Sequence, residues 1–580
     1  MNAVRGWFCV LWLLVATPAF GQKAPSALAP SLLPSDTLFY LHWRGTSSLQ
    51  SAQNTNSLLG LWADPEFAPL RQALIEAFYR GAKKQKQLSS ATRQELEQFV
   101  SLAENPFLLG FAGPLDLSAM SSTPAKESPP ARRPAFFLVY DDTGKSELIA
   151  KLRKKSAEAS QEPRSITRYA FGSTTVEITA TAKEKSYSAR VGSYWINSNQ
   201  QQRIEELIVR LRSPAGRAPS LPDTAEYRSA QHQIDSGALV QFLFRMPDLS
   251  KLPAPSKEGF DTRTFLHAVH LEKLRTISAS VSFAGEATRF RMAALGDASP
   301  GSLFDLLGES RPTFETLALA PAGTPSFSVT RMNLRALYEI VRGALASSLP
   351  PHQRGALDMA EAMWAGQLGI SIPDALGLLR GEIFSTAPTG NLGSGSRLYA
   401  ATTQKPTEVL RILRQIFARE ITGEEQVGDS TILKFSTPSH SSPARRSERQ
   451  LYYLAVTPQM LLAAPQIEIL REAIGRLSHA NGDAPASLAG EAGFQRARAR
   501  FPENLGGLSY VDLDRIPWEN FAEAFEAWLK KADQKSAASL GTARDWIKKI
   551  PPAVMHRYLH AWSSGSWKDA HGVYFDAYIE

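Results

Sequence analysis

The chain has 580 residues, 43% hydrophobic and 21% charged, so it is globular and too long for one ordinary core. Its 64 Lys and Arg against 56 Asp and Glu give a formal net charge of +8, which favours anionic partners. The one cysteine, Cys9, excludes a disulfide framework and a thiolate zinc cluster.

Residues 1–21 have the three parts of a secretory signal. Arg5 supplies the positive start, Trp7 to Ala16 is a short apolar run, and Ala19-Phe20-Gly21 offers small residues for cleavage. The run is about ten residues, against the roughly 20 that a helical membrane span needs. Cleavage after Gly21 would remove Cys9, and no later stretch is apolar enough to span. The expected product is a periplasmic or extracellular protein with no membrane span after signal cleavage. A Pro/Ala-rich linker at 22–31 would lead into the folded part.

Further along, the chain is written twice. Phe136-Phe137-Leu138-Val139-Tyr140 is followed by Asp141-Asp142-Thr143-Gly144 and then Ser146 to Arg153, which reads as strand, turn and capped helix. Leu398-Tyr399-Ala400-Ala401, Lys405-Pro406 and Thr407 to Arg414 repeat that grammar. Tyr187 to Asn197 then matches Leu451 to Thr457, each leading into a helix, Ile204 to Leu211 and Ile467 to Leu477. Ala225 to Phe242 matches Ala492 to Val511, with Gly237 and Gly507 just before the strand. Each half closes with a hairpin, Ile277 to Leu295 and Trp562 to Tyr578. Insertions also fall in step, Ser121–Pro134 with Thr389–Ser396 and Thr181–Lys185 with Thr437–Gln450, as expected if surface loops vary while packed elements persist.

The predicted fold class is therefore α+β, with two related halves from an internal duplication. Each half should be a mainly antiparallel sheet with packed amphipathic helices. The first runs from 32 to 297, the second from 314 to 580, and 298–313 links them.

The first half opens with Leu33-Pro34-Ser35-Asp36-Thr37 and the run Leu38 to Leu41; the second opens with Ala320-Pro321-Ala322-Gly323-Thr324. The Leu-Pro-x-Asp-Thr opening resembles that of uncharacterised exported bacterial proteins grouped as a domain-of-unknown-function family, whose chains alternate strands with amphipathic helices. The second half departs from it at Gly323, where an Asp would stand. The resemblance implies export and a mixed fold, and it carries no activity, cofactor or catalytic residue to transfer.

Candidate chemistry is sparse. Gly144-Lys145-Ser146 between strand and helix invites a phosphate-loop reading, but Val139 stands where that motif needs glycine. His556 and His560 are four apart after Pro551-Pro552, so a helix would place both on one face as metal ligands, with His571 the nearest third. Arg557 stands where a zinc protease has its glutamate, and these three histidines are expected to edge the core. His267 and His270 are a looser counterpart in the first half. Asp141-Asp142 and Asp512 with Asp514 are expected to be solvated carboxylates. Trp518, Phe521, Phe525, Trp528 and Leu529 have helical spacing, expected as a buried stripe before an aromatic platform. The basic clusters at Lys83-Lys84-Gln85-Lys86, Arg132-Arg133, Lys151 to Lys155, Arg445-Arg446 and Lys530-Lys531 lack aromatic interleaving, which argues against specific nucleic-acid reading.

These patterns predict an exported, non-catalytic envelope protein that binds or scaffolds, with no cofactor. Its expected partner is an anionic envelope polymer or an envelope protein. Binding is expected in a groove between the halves or at the paired loops. The alternative is a hydrolase or metal-dependent enzyme with its site between the halves.

Overall fold

The computed structural model describes residues 28–49, 52, 55–83, 93–113, 134–159, 164–181, 185–213, 218–235, 237–247, 266–298, 302–349, 351–387, 397–438, 449–478, 486–519, 549 and 551–580. The signal segment with Cys9, the loops at 121–133 and 389–396, and most of the loop at 437–450 lie outside these residues. So do the aromatic positions Phe521, Phe525, Trp528 and Leu529. The chain divides into two compact units, Met1–Pro253 with Arg275–Leu295, and Ala254–Leu274 with Gly296–Glu580. Ala254–Leu274, read from sequence as part of the first half, is grouped with the second unit.

The first unit holds strands β1 (Thr37–Trp43), β2 (Phe107–Ala112), β3 (Ala135–Asp141), β4 (Ser165–Phe171), β5 (Thr174–Ala180), β6 (Lys185–Val191), β7 (Tyr194–Ser198), β8 (Val240–Arg245), β9 (Leu274–Ala284) and β10 (Ala287–Gly296). Its helices are α1 (Ser57–Ala63), α2 (Ala68–Lys83), α3 (Arg93–Ser101), α4 (Ser146–Ala159), α5 (Gln201–Arg212) and α6 (Ala225–Gln231). Spatial order in its sheet is β4-β5-β6-β7-β3-β2-β1-β8-β9-β10, antiparallel from β4 through β9.

The second unit holds β11 (Ser326–Arg331), β12 (Leu379–Ala387), β13 (Leu398–Thr403), β14 (Ile421–Val427), β15 (Ser430–Pro438), β16 (Arg449–Val456), β17 (Met460–Ala464), β18 (Gly507–Asp512), β19 (Ala561–Asp569) and β20 (Gly572–Ile579). Helices α7 (Leu334–Ser348), α8 (Pro351–Leu368), α9 (Ile372–Gly377), α10 (Pro406–Ile416), α11 (Ile467–Ser478), α12 (Ala492–Arg498) and α13 (Pro552–Tyr558) accompany them. Its order is β14-β15-β16-β17-β13-β12-β11-β18-β19-β20, again antiparallel, the same sequence of neighbours as in the first unit. The architecture is mixed α+β.

Local physics explains the elements. In β3, Ala135, Phe137 and Val139 alternate inward and are fully or almost fully buried, as a strand's two-residue period requires. In α5, Ile204, Leu207 and Ile208 form one buried helical stripe, each stabilising by about 1.5–3 kcal/mol. Hairpin β4–β5 turns at Gly172 and β14–β15 at Gly428, both at positive φ, which a side chain would oppose.

The Pro-x-x-Thr openings have a shared geometry. Thr37 Oγ1 donates to Pro34 O at 2.7 Å, and Thr324 Oγ1 to Pro321 O at 2.6 Å. Each proline then bridges a serine after the long helix, Pro34 with Ser220 and Pro321 with Ser487. Arg210 in α5 pairs with Glu206 and donates to Pro219 O; Arg476 in α11 pairs with Glu472 and donates to Ala486 O. Tyr187–Asn197 is a hairpin turning at Gly192, and Gly507, expected just before its strand, is the strand's first residue.

Candidate functional site

The first unit has an open cleft of about 290 Å3 under α4, over strands β4 to β7. Strand register builds its floor. Arg168 of β4 stands opposite Glu177 of β5, which stands opposite Ser188 of β6; Arg190 of β6 stands opposite Trp195 of β7. Helix α4 supplies Ser146, Ile149 and Ala150 as the facing wall.

Asp142, just past the end of β3, is expected from sequence to be solvated. Instead its side chain is 3% exposed and held by Arg190, with Arg190 Nε to Asp142 Oδ2 at 2.9 Å and Nη2 to Oδ1 at 3.2 Å. Burial raises the Asp142 pKa above the usual carboxylate value, and the Arg190 guanidinium acts against that rise. Arg190 itself is 57% exposed at the cleft. A second pair lies beside it, with Arg168 Nη2 and Nε at 3.0 and 3.2 Å from Glu177 Oε2. Outside the cleft, Tyr169 Oη donates to Glu205 Oε1 at 2.9 Å and ties β4 to α5. Burial and Glu205 push that phenol's pKa up.

The second unit treats the matching positions differently. Along the same strand rows, Glu424 stands opposite Leu433, Leu433 opposite Leu454, and Val456 opposite Leu461. Thr403 occupies the place of Asp142: its N–H donates to Gln459 O at 2.8 Å, as that of Asp142 donates to Ser193 O at 2.8 Å. Val456 and Leu461 pack with Val409 and Ile412 of α10 and with Leu368, Leu378 and Trp364 in an apolar cluster. Polar and open in the first unit, the site in the second is apolar at Leu433, Leu454, Val456 and Leu461, with Glu424 at its outer row paired to Arg414 of α10.

The remaining sequence candidates do not gather into a second site. Lys145 Nζ lies 2.9 Å from Glu104 Oε2, so it is tied to a carboxylate at the helix start. Asp141 accepts from Thr143 N at 3.1 Å and closes a local turn. Helix α13 ends at Tyr558, so His556 and His560 do not share a helix face as spacing alone predicts. His560 Nδ1 is 3.0 Å from Asp514 Oδ1, His556 Nε2 is 3.7 Å from Glu519 Oε1, and His571 sits in the β19–β20 turn, where its N–H donates to Asp569. His267 and His270 both face Glu272. Asp512 pairs with Arg515 at 3.2 Å. Among the described residues no group of three or more His, Cys, Asp or Glu is placed to hold a metal, and no helix is long and apolar enough to cross a membrane.

Sequence reasoning missed Arg190, Arg168, Glu177 and Trp195. The alternation Ser188, Arg190 on one face and Ala189, Val191 on the other was the available signal. Compared with protein-family models, with curated proteins and with solved structures, the chain matches none.

Proposed function

We propose that this is an exported, non-catalytic envelope protein that arose by internal duplication and binds its ligand in the cleft of the first unit. The contrast between the Asp142–Arg190 cleft and the filled Thr403–Val456 position carries the reading. A fold that tolerates Leu433, Leu454 and Val456 at these rows does not need Glu177, Ser188 and Arg190 for its stability. The duplication is supported by the common strand order, the Pro34–Thr37 and Pro321–Thr324 turns, and the matched Arg210 and Arg476. The Leu33-Pro34-Ser35-Asp36-Thr37 resemblance and the run Trp7 to Ala16 support export. Binding, and not turnover, is supported by the pairing of all four charged cleft groups into two ion pairs, which fixes a recognition surface.

The test is hydrogen exchange on the full chain with and without envelope extract. Protection of residues 185–198 is expected in the native sequence. It should vanish in Asp142→Thr with Arg190→Val, which installs the second unit's residues. Equal protection in both proteins, or none in either, would sink the reading. Intact mass of the protein from its native host should show the loss of residues 1–21.

A further inference from the structure

The cleft's chemistry points to a ligand class, an inference that rests on the binding reading above. We propose that it takes one ring of a neutral, polyhydroxylated ligand, a glycan unit laid against Trp195 and hydrogen-bonded by the two arginine–carboxylate forks.

Charge is the first argument. Asp142 and Glu177 balance Arg190 and Arg168, and each guanidinium already faces its carboxylate at 2.9–3.2 Å. A ligand carboxylate or phosphate therefore meets no uncompensated positive charge in the cleft, and a ligand ammonium no uncompensated negative charge. A hydroxyl both donates and accepts, so it joins a guanidinium edge and a carboxylate lone pair while leaving the ion pair intact. The hydroxyl of Ser146 extends the same donor–acceptor surface along the cleft, and Ser188 closes its floor.

Shape is the second argument. About 290 Å3 sits at the lower end of small-ligand sites, so it suits one ring with its neighbours left in solvent. Trp195 gives the floor an aromatic surface that matches the apolar face of a sugar ring. Ile149 and Ala150 on the facing wall are small enough to leave the slot open. In the second unit Leu461 stands where Trp195 would be and Val456 where Arg190 would be, so the aromatic floor and the fork are absent together.

The experiment is calorimetric titration of the full chain with maltotetraose, cellotetraose and chitotetraose, at low and high salt. Oligogalacturonate and a short neutral peptide serve as the counter-probes. At least one neutral tetrasaccharide should bind with an affinity insensitive to salt. Trp195→Ala should weaken it about tenfold or more, and Trp195→Phe by much less. Arg168→Gln, at an exposed position, should weaken it about fivefold. Ser188→Leu, which installs the second unit's residue and fills the slot, keeps the test open if Trp195→Ala fails to fold. Binding of only the anionic oligomer or the peptide, still dependent on Trp195, would overturn the ligand class and leave the cleft as a binding site. Binding indifferent to Trp195, Arg168 and Ser188, or no binding at all, would overturn both.

Discussion

Arg331 and Glu382 form a buried ion pair in the second unit, with Nη2 to Oε2 at 3.2 Å. Arg331 also donates to Leu505 O at 2.9 Å and lies over the Phe314 ring at 4.4 Å, while Glu382 accepts from Thr316 N and Oγ1 at 2.8 and 2.6 Å. The pair therefore pins the segment before β11 to the adjacent strands β11 and β12. Arg331→Met should cost about 3–5 kcal/mol, because it leaves Glu382 charged and buried. Arg331→Met with Glu382→Leu should cost clearly less than the sum of the single changes, a coupling that urea unfolding of the four proteins measures.

His42 makes the first unit acid-sensitive. It is 8% exposed, and burial lowers its pKa from 6.5 to about 4, with the Gln241 hydrogen bond opposing that shift and the Arg44 charge adding to it. As pH falls below 6.5 the unfolded chain takes the proton before the folded one, so stability falls with pH. The loss is complete near pH 4 and absent above 6.5, and a gap of that size is worth on the order of 3 kcal/mol. The second unit has Val329 at the matching register position. His42→Leu should flatten the stability profile between pH 6.5 and 4; a slope unchanged from the native chain would refute the assignment.

Much of the fold was legible where alternation is strong. The hairpins β9–β10 and β19–β20 and the helices α4, α5, α10 and α11 stand where their apolar periodicity places them. Hairpin β4–β5 was not singled out, because Ser165 to Phe171 is largely exposed and carries no two-residue apolar rhythm. The cleft was hidden for a different reason. Asp142 meets Arg190 only because β3 pairs with β7 and β7 with β6, a register across distant segments that no local pattern encodes. The shared helix face that the spacing of His556 and His560 suggests does not form, because the helix stops at Tyr558, two residues short of His560.

Gly565 marks a close approach. It stands opposite Leu508 in the β18–β19 pair, and a Cβ there would fall 2.6 Å from Cδ1 of Phe501. The first unit has Ser280 opposite Gln241 at that register, so a side chain is compatible with the strand itself. Gly565→Ala should destabilise by about 1–3 kcal/mol through overpacking. Gly565→Ala with Phe501→Leu should recover part of the Gly565→Ala loss when compared with Phe501→Leu alone by thermal melting.

The cleft pair predicts an asymmetry that separates stability from recognition. Arg190→Val alone strands the buried Asp142 carboxylate, so it should cost about 2–4 kcal/mol at neutral pH. Without the guanidinium, the Asp142 pKa, already raised by burial, rises further. Between the unfolded and folded values the folded state then binds the extra proton, so the penalty is full above the folded pKa and fades as pH falls towards 3.8. Acidification should therefore narrow the gap between Arg190→Val and the native chain. Asp142→Thr with Arg190→Val removes the stranded charge and installs residues the second unit already packs, so its stability should lie within about 1 kcal/mol of native. Chemical unfolding of the native, single and double variants at neutral pH and near pH 4 gives the comparison. A double variant as unstable as Arg190→Val would mean that the pair holds the fold and is not a recognition feature.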